Sequence, residues 1–346
     1  MTTVMDTVSL LLAGVTFVNL AVAADNRTAN SHDFLRNKLN FSDEQIRTVA
    51  AGKPFCIEVQ TPDASEVLLY GAVWVNADPL AFVKQYAEVE KLVDGKGFLA
   101  AKKFSTPPVL NDLSSLHLDA EDLEQLRSCE AGDCEIQLWK EAMPLFRSRV
   151  NWSAPDAKTQ ANTLMRRVAL GALQAYQKGG NSALGYYHDK DKPTRVADSF
   201  RTLLSRAKDL PNVFPAFTAY LSSYPSGKPA STWDFYYWEN VKFGLKPTFR
   251  INHVLVHHPR NSATAWLIAS KQIYSSHYFQ TALDLWMCVR DPARPAGYYL
   301  LTLKGSRQDG LTGLTGKMLR RVVLSKTKDS MERALARLKE RAEKGR

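Results

Sequence analysis

Residues 248–304 read TFRINHVLVHHPRNSATAWLIASKQIYSSHYFQTALDLWMCVRDPARPAGYYLLTLK. Four runs, Thr248–His257, Thr264–Tyr274, Tyr278–Arg290 and Gly297–Lys304, are rich in β-branched and aromatic residues. Between them stand Pro259-Arg260-Asn261-Ser262 and Asp291-Pro292-Ala293-Arg294-Pro295, both of turn composition. Loops this short cannot carry a parallel crossover, so the stretch predicts an antiparallel meander.

Downstream of the meander lies a glycine-rich turn, Gly305–Gly316, and then a long helix expected over Leu314–Glu343. Thr327, Met331, Leu335, Leu338 and Ala342 give that helix a stripe at three-four spacing. Upstream, the aromatic cluster Trp233, Phe235, Tyr236, Tyr237, Trp238 and Phe243 suits core packing better than sugar stacking or a lipid entrance. Residues 139–225 read as mostly helical. One helix starts at Ser153-Ala154-Pro155-Asp156 and stops at Gly179-Gly180-Asn181, with Leu164, Val168, Ala172 and Ala175 as its seam. Val196–Ala207 and Val213–Leu221 mark two more.

Nearer the start, Glu66–Asn76 (EVLLYGAVWVN) alternates as a long strand with both faces partly covered. Asp78 and Pro79 then open a helix, carried by Phe82, Val83, Tyr86, Val89 and Val93. Strands are expected at Gly97–Phe104 and Cys134–Leu138, with a short acidic helix at Asp119–Gln125 between them. Ser42 and Gln45 have the spacing of a capping box. The expected organisation is therefore a signal peptide (1–24), a polar lead-in (25–54), the first part of an α+β domain (55–138), a helical insertion (139–230), and a meander with its C-terminal helix (231–346). The fold class is α+β, a curved antiparallel sheet packed on a long final helix.

That order of elements, carried by Glu66–Val93 and Thr248–Glu343, resembles the helix-grip fold of the START-like superfamily of lipid-transfer, polyketide-cyclase and related domains. The resemblance implies a sheet wrapped round the final helix and enclosing an apolar cavity, with residues 139–225 as an addition. Ser270–Phe279 and Ser306–Leu311 are also similar to segments of uncharacterised exported bacterial proteins, which implies no activity.

The compartment follows from the first residues. Val8–Ala24 is apolar, and Ala21-Val22-Ala23 offers the small-x-small pattern of a signal-peptidase site, followed by the polar Asp25–His32. The segment before it holds Asp6 and no Lys or Arg, which is atypical of an export signal and leaves an uncleaved anchor as the other reading. Export to a periplasmic or extracellular space predicts a local disulfide between Cys129 and Cys134, around Glu130-Ala131-Gly132-Asp133. Cys56 and Cys288 are left without an assigned pairing. A metal at the Cys pair would need more donors, and only His117 is near in sequence. The net charge is +10, and residues 304–346 hold thirteen Lys/Arg against five Asp/Glu. In an exported chain such an excess suits a solvated helix face or an anionic membrane surface, and no nucleic-acid partner is expected.

No strong catalytic, nucleotide or metal motif stands out. His253, His257 and His258 are the densest histidine group, but residues four apart on a strand lie about 13 Å apart. They are expected at a hairpin end on the surface, with no metal. Lys271, His277 and Asp284 are the candidate catalytic groups, since imidazole beside a carboxylate suits acid–base work. A satisfied polar network is the other reading. Arg307 and Asp309 flank a tight turn, where they would pair with each other or Arg307 would hold an anionic headgroup. Gly316-Lys317 lacks the Ser/Thr of a phosphate loop, and Gly180–Leu184 lacks the second glycine of a nucleophile elbow. The function expected is binding of an apolar or amphipathic small molecule, a lipid foremost, in a sheet–helix cavity of about 300 Å³ or more, without a cofactor. Trp74, Trp238, Tyr274, Tyr278, Trp286 and Arg307 are the expected contacts. An envelope enzyme using Lys271–Asp284 and a non-catalytic envelope module are the alternatives.

Overall fold

In the computed structural model, which describes residues 31–344 apart from 95–96, 208–209, 245, 261 and 263, the chain enters through two short helices. The expected export segment, 1–24, lies outside the described residues. The helices are α1 (Ser31–Asn37) and α2 (Asp43–Ala50). Ser42 caps α2: its hydroxyl accepts from the Gln45 amide, and the Gln45 side chain accepts from the Ser42 amide. This reciprocal box satisfies two of the four amides that a helix start leaves open. Strands β1 (Phe55–Glu58) and β2 (Glu66–Val75) follow. Then comes α3 (Pro79–Tyr86), capped by the Asp78 carboxylate on the Leu80 amide, and β3 (Phe98–Lys103).

The middle of the chain is helical: α4 (Ala120–Ser128), α5 (Met143–Arg149), α6 (Ala157–Gly179), α7 (Val196–Leu204), α8 (Leu210–Val213) and α9 (Pro215–Ser223). A two-residue ribbon, β4 (Tyr186–Tyr187) with β5 (Thr194–Arg195), interrupts it. The meander then runs through β6 (Thr232–Lys242), β7 (Pro247–His257), β8 (Thr264–Ser275), β9 (Phe279–Arg290) and β10 (Tyr298–Gln308). The chain closes with α10 (Gly313–Lys344).

All eight long strands form one antiparallel sheet in the order β1-β2-β10-β9-β8-β7-β6-β3. The last strand returns to pair with β2, with Thr302 opposite Gly71 and Tyr298 opposite Val75. The fold class is α+β, with α10 packed on the sheet, as the order of elements predicts. Two local readings differ. The aromatic run Trp233–Trp238, to which the sequence assigns no strand, is the body of β6, so the meander has five strands and not four. Cys134–Leu138 is not a strand, because its amides are spent on loops: Cys134 N–H donates to Asp189 and Gln137 N–H to Ser276.

Alternation along the strands sorts residues onto two faces. On one face α10 and α3 cover Val67, Leu69, Val73, Leu300, Trp286 and Cys288. Met331 and Leu335 are the buried ridge of α10 there, each worth about 1.5–3 kcal/mol as buried apolar surface. Gly71 is what lets the helix come so close. A Cβ on it would stand 2.6 Å from the Met331 methyl and 2.9 Å from Cys56 Sγ. On the other face lies the larger core, where α1, α2 and the helices α4 to α9 bury Tyr274, Trp238, Leu285 and Tyr299.

Cys129 and Cys134 are disulfide-bonded, Cα atoms 4.8 Å apart, around a turn in which Gly132 takes a positive φ of 91°. Cys56 and Cys288 are buried and not bonded to each other. Burial, with Glu332 nearby, pushes the Cys56 thiol up to about 12. Among the described residues no helix is long and apolar enough to cross a membrane.

Candidate functional site

The three candidate catalytic groups stand in three different places. Lys271 and His253 are register partners on β8 and β7 and point into the helical layer. There a hydrogen-bonded chain forms. The Asp234 carboxylate accepts from His253 Nε2 (3.1 Å), His253 Nδ1 meets the Tyr176 hydroxyl (3.0 Å), and Lys271 Nζ donates to the Tyr176 oxygen (3.4 Å) and to Asn181 Oδ1. Tyr176 and His253 are fully buried and Lys271 is 1 % exposed. Burial, opposed by the Asp234 hydrogen bond, pushes His253 down to about 4, so it is neutral at neutral pH. A neutral ring donating from Nε2 must accept at Nδ1, which gives the Tyr176 hydroxyl its direction. Burial also lowers Lys271 well below its ordinary value, in a seat over the Phe200 and Tyr176 rings. His253 is thus not the surface residue expected of a hairpin end: it sits mid-strand, and the register with Lys271 carries it into the core.

His277 lies in the β8–β9 turn and ties it to the loop at Glu135 and to α4: Nδ1 stands 3.0 Å from the Glu135 carbonyl oxygen and Nε2 3.0 Å from the buried Asp122 carboxylate. Asp284 is on the opposite face of the sheet, paired with Lys304 at 2.7 Å. The expected ligand contacts also divide. Trp74, Trp238 and Tyr274 are core residues of the helical face. Trp238 donates to the Asp112 carbonyl, Tyr274 to the Gln137 carbonyl, and Trp74 stacks under Arg294. Trp286 packs against Phe82 and Tyr86 under α3. Arg307 does not pair with Asp309. Its guanidinium meets Asp63, Glu66 and Gln280, while Asp309 pairs with Lys190. The fork expected for a headgroup is therefore occupied within the protein.

Two hollows remain. The smaller, about 250 Å³, lies under the first half of α10, and Tyr278, Asp284 and Arg250 are on its wall. Of its charged lining, Arg250 pairs with Glu239, Asp284 with Lys304 and Asp309 with Lys190, and Lys326 of α10 stands at its edge.

The larger is a cleft of about 1440 Å³ on the helical face, at the other end of the sheet. The strand alternation that points Asp284 and Trp286 toward α10 points Leu285, Met287 and Val289 into this cleft, and Tyr70 and Leu303 complete the floor. Phe34 and Leu39, on and just beyond α1, make one wall; Leu210, Phe214 and Phe217, from α8 and α9, make the other. The rim is of different character: Lys38, His257, His258, Arg260 and Arg290 against a single carboxylate, Asp291. His257 is held by the Thr232 hydroxyl (2.8 Å) and by stacking on Phe217. Burial, and then the neighbouring His258, keeps its pKa below the ordinary value, so the rim's lasting positive charge comes from Lys38, Arg260 and Arg290. Among the described residues the Ser262 hydroxyl accepts from the Thr264 amide, and Asp291 is the one carboxylate of the lining, so the chemistry the cleft offers is enclosure of apolar surface beside a cationic edge. None of the expected catalytic groups or ligand contacts lines it; of the residues weighed in the sequence, His257 and His258 of the histidine group reach its rim. The signal that could have found it was the second face of β9, where Leu285, Met287 and Val289 were visible only as core.

No protein-family model matches this chain, and no curated protein is similar to it.

Proposed function

We propose that this chain is an exported, non-catalytic carrier of an amphipathic molecule with an anionic head, of the fatty-acid or acidic-lipid type, held in the cleft between the sheet and the α1 and α8–α9 helices. One observation carries the reading: an apolar floor and walls around about 1440 Å³, edged by Lys38, Arg260 and Arg290. Such a volume exceeds the usual 300–1,000 Å³ of small-molecule pockets and suits a long apolar body. Basic groups at the rim suit a head that stays in water. The return of β10 beside β2 and the packing of α10 on the sheet suit the helix-grip resemblance. The cavity it implies, between the sheet and α10, measures only about 250 Å³, so the carrier reading rests on the cleft of the opposite face and not on that resemblance. The separation of Lys271, His277 and Asp284 weighs against the enzyme alternative.

The test is native mass spectrometry of the protein purified from its own host, followed by organic extraction. The expected result is a co-purifying lipid-sized mass that is lost on denaturation and reduced in Arg260→Glu and Arg290→Glu, which reverse the charge of the rim. A bare mass from the natural host, or an undiminished mass in both charge-reversed variants, overturns the reading.

A further inference from the structure

The first half of α10 carries an apolar ridge that no other part of the described chain covers. Leu314 is 90 % exposed and Met318 73 %, with Val322 at 43 % and Leu319 at 48 %. Leu314, Met318 and Val322 recur every four residues, so they share one face of the helix, turned away from the sheet. The ridge continues onto the β6–β7 turn, where the half-exposed Phe243 shares the mouth of the small cavity with Leu319 and Val322.

Charge singles out the same half of the helix. From Gly313 to Lys328 there are five bases and no Asp or Glu; from Asp329 to Lys344 acids and bases mix. Two of the five look inward or sideways: Arg320 pairs with Glu58, and Lys328 lies over the Phe55 ring. Lys317, Arg321 and Lys326 are exposed beside the ridge. In the second half Lys339 and Lys344 are already paired with Glu343 and Glu340. An exposed apolar ridge with basic flanks is the pattern of a helix that lies in a bilayer interface.

We infer that the first half of α10, with Phe243, seats on the surface of an anionic lipid bilayer, Leu314, Met318 and Val322 entering the headgroup boundary and Lys317, Arg321 and Lys326 meeting the lipid charges. A second copy of this chain is disfavoured as the occupant, because it would bring the same acid-free basic stretch against itself. The inference goes beyond the carrier reading, since the ridge and the cleft lie on opposite faces of the sheet.

The experiment places an environment-sensitive fluorophore on the full chain through Met318→Cys, and on a control through Ala336→Cys. Position 336 is exposed and lies five turns further along the same face. The two free natural thiols are buried and do not compete for label. With phosphatidylglycerol-containing vesicles the label at 318 is expected to shift to the blue and the label at 336 is not. Pure phosphatidylcholine vesicles should give no shift, and added salt should reverse the one seen. Lys317→Glu, Arg321→Glu and Lys326→Glu should each weaken binding by about fivefold or more. No shift at 318, an equal shift at 336, or a shift that grows with protein concentration before vesicles are added overturns the inference. The last outcome would assign the ridge to self-association. Arg260→Glu and Arg290→Glu are expected to leave the shift unchanged, so failure of the cleft reading and failure of this one are read separately.

Discussion

The sealed chain Asp234–His253–Tyr176–Lys271 and the open cleft occupy the same face of one sheet and are built in opposite ways. The chain is made of the residue types that perform catalysis, yet it has no room for a substrate. Each member is satisfied by the next; burial holds His253 neutral and disfavours the charged form of Lys271. The cleft is floored and walled by Leu, Met, Val and Phe, keeps its histidines and charged groups at the rim, and encloses about 1440 Å³. Titratable side chains mark where polarity had to be compensated. The absence of side chains marks where a ligand fits.

That contrast predicts how each region answers to change. His253→Ala would leave the Tyr176 hydroxyl without its acceptor, take from Asp234 one of its two partners, and open a cavity. We expect a loss of about 3–5 kcal/mol in urea unfolding. A loss below 1 kcal/mol would mean that the chain is not sealed.

Acid probes the same region without a mutation. Folded His253 titrates near 4, whereas an unfolded histidine titrates near 6.5. Between those values only the unfolded state takes up the proton, so stability is full above pH 6.5 and falls as pH drops toward 4. The loss amounts to about 3 kcal/mol. Although burial works against it, Asp234 is held at about 2 by His253 and Lys228, which adds a further loss as pH falls below about 4. Urea midpoints at pH 7.5, 5.5 and 4.5 would show the slope, and a flat profile would contradict the buried neutral ring.

In the cleft, Leu285→Ala should cost only about 1–2 kcal/mol, below the usual range for a core leucine, because its side chain already borders empty space. Equal costs for Leu285 and for the sheet-core residue Leu267 would close the cleft as an idea. The smallest effects belong to the rim. Arg260→Ala and Arg290→Ala are expected to change stability by less than about 0.5 kcal/mol, while each weakens binding of a fluorescent fatty acid about tenfold.

The parts of this architecture that could be read from one sequence are those decided locally. The Ser42–Gln45 box, the Asp78 cap, the turns at Pro259 and Pro292 and the stripe of α10 each depend on residues a few positions apart. β6 was missed because Trp233–Trp238 is aromatic on both faces and shows no alternation of polarity. His253 was misplaced because its surroundings are supplied by Tyr176 and Asp234, on α6 and β6, and not by its own strand. The cleft was invisible for the same reason. It exists because α1 stands apart from α8 and α9, and that spacing is set by packing between segments far apart in the chain.

The pairing of β2 with β10 has a consequence for how the molecule comes to exist. Gly71 finds Thr302 only after the helical middle and the meander that separate them have been synthesised, and Met331 must arrive later still to cover both. The meander β6–β10 can zip locally, strand against next strand, whereas β1 and β2 wait as a hairpin for the last strand of the sheet to be made. Closure of the sheet is therefore weighted toward the synthesis of β10. A chain arrested before β10 would leave β1 and β2 without the strand that joins them to the meander, an open edge for proteases or chaperones.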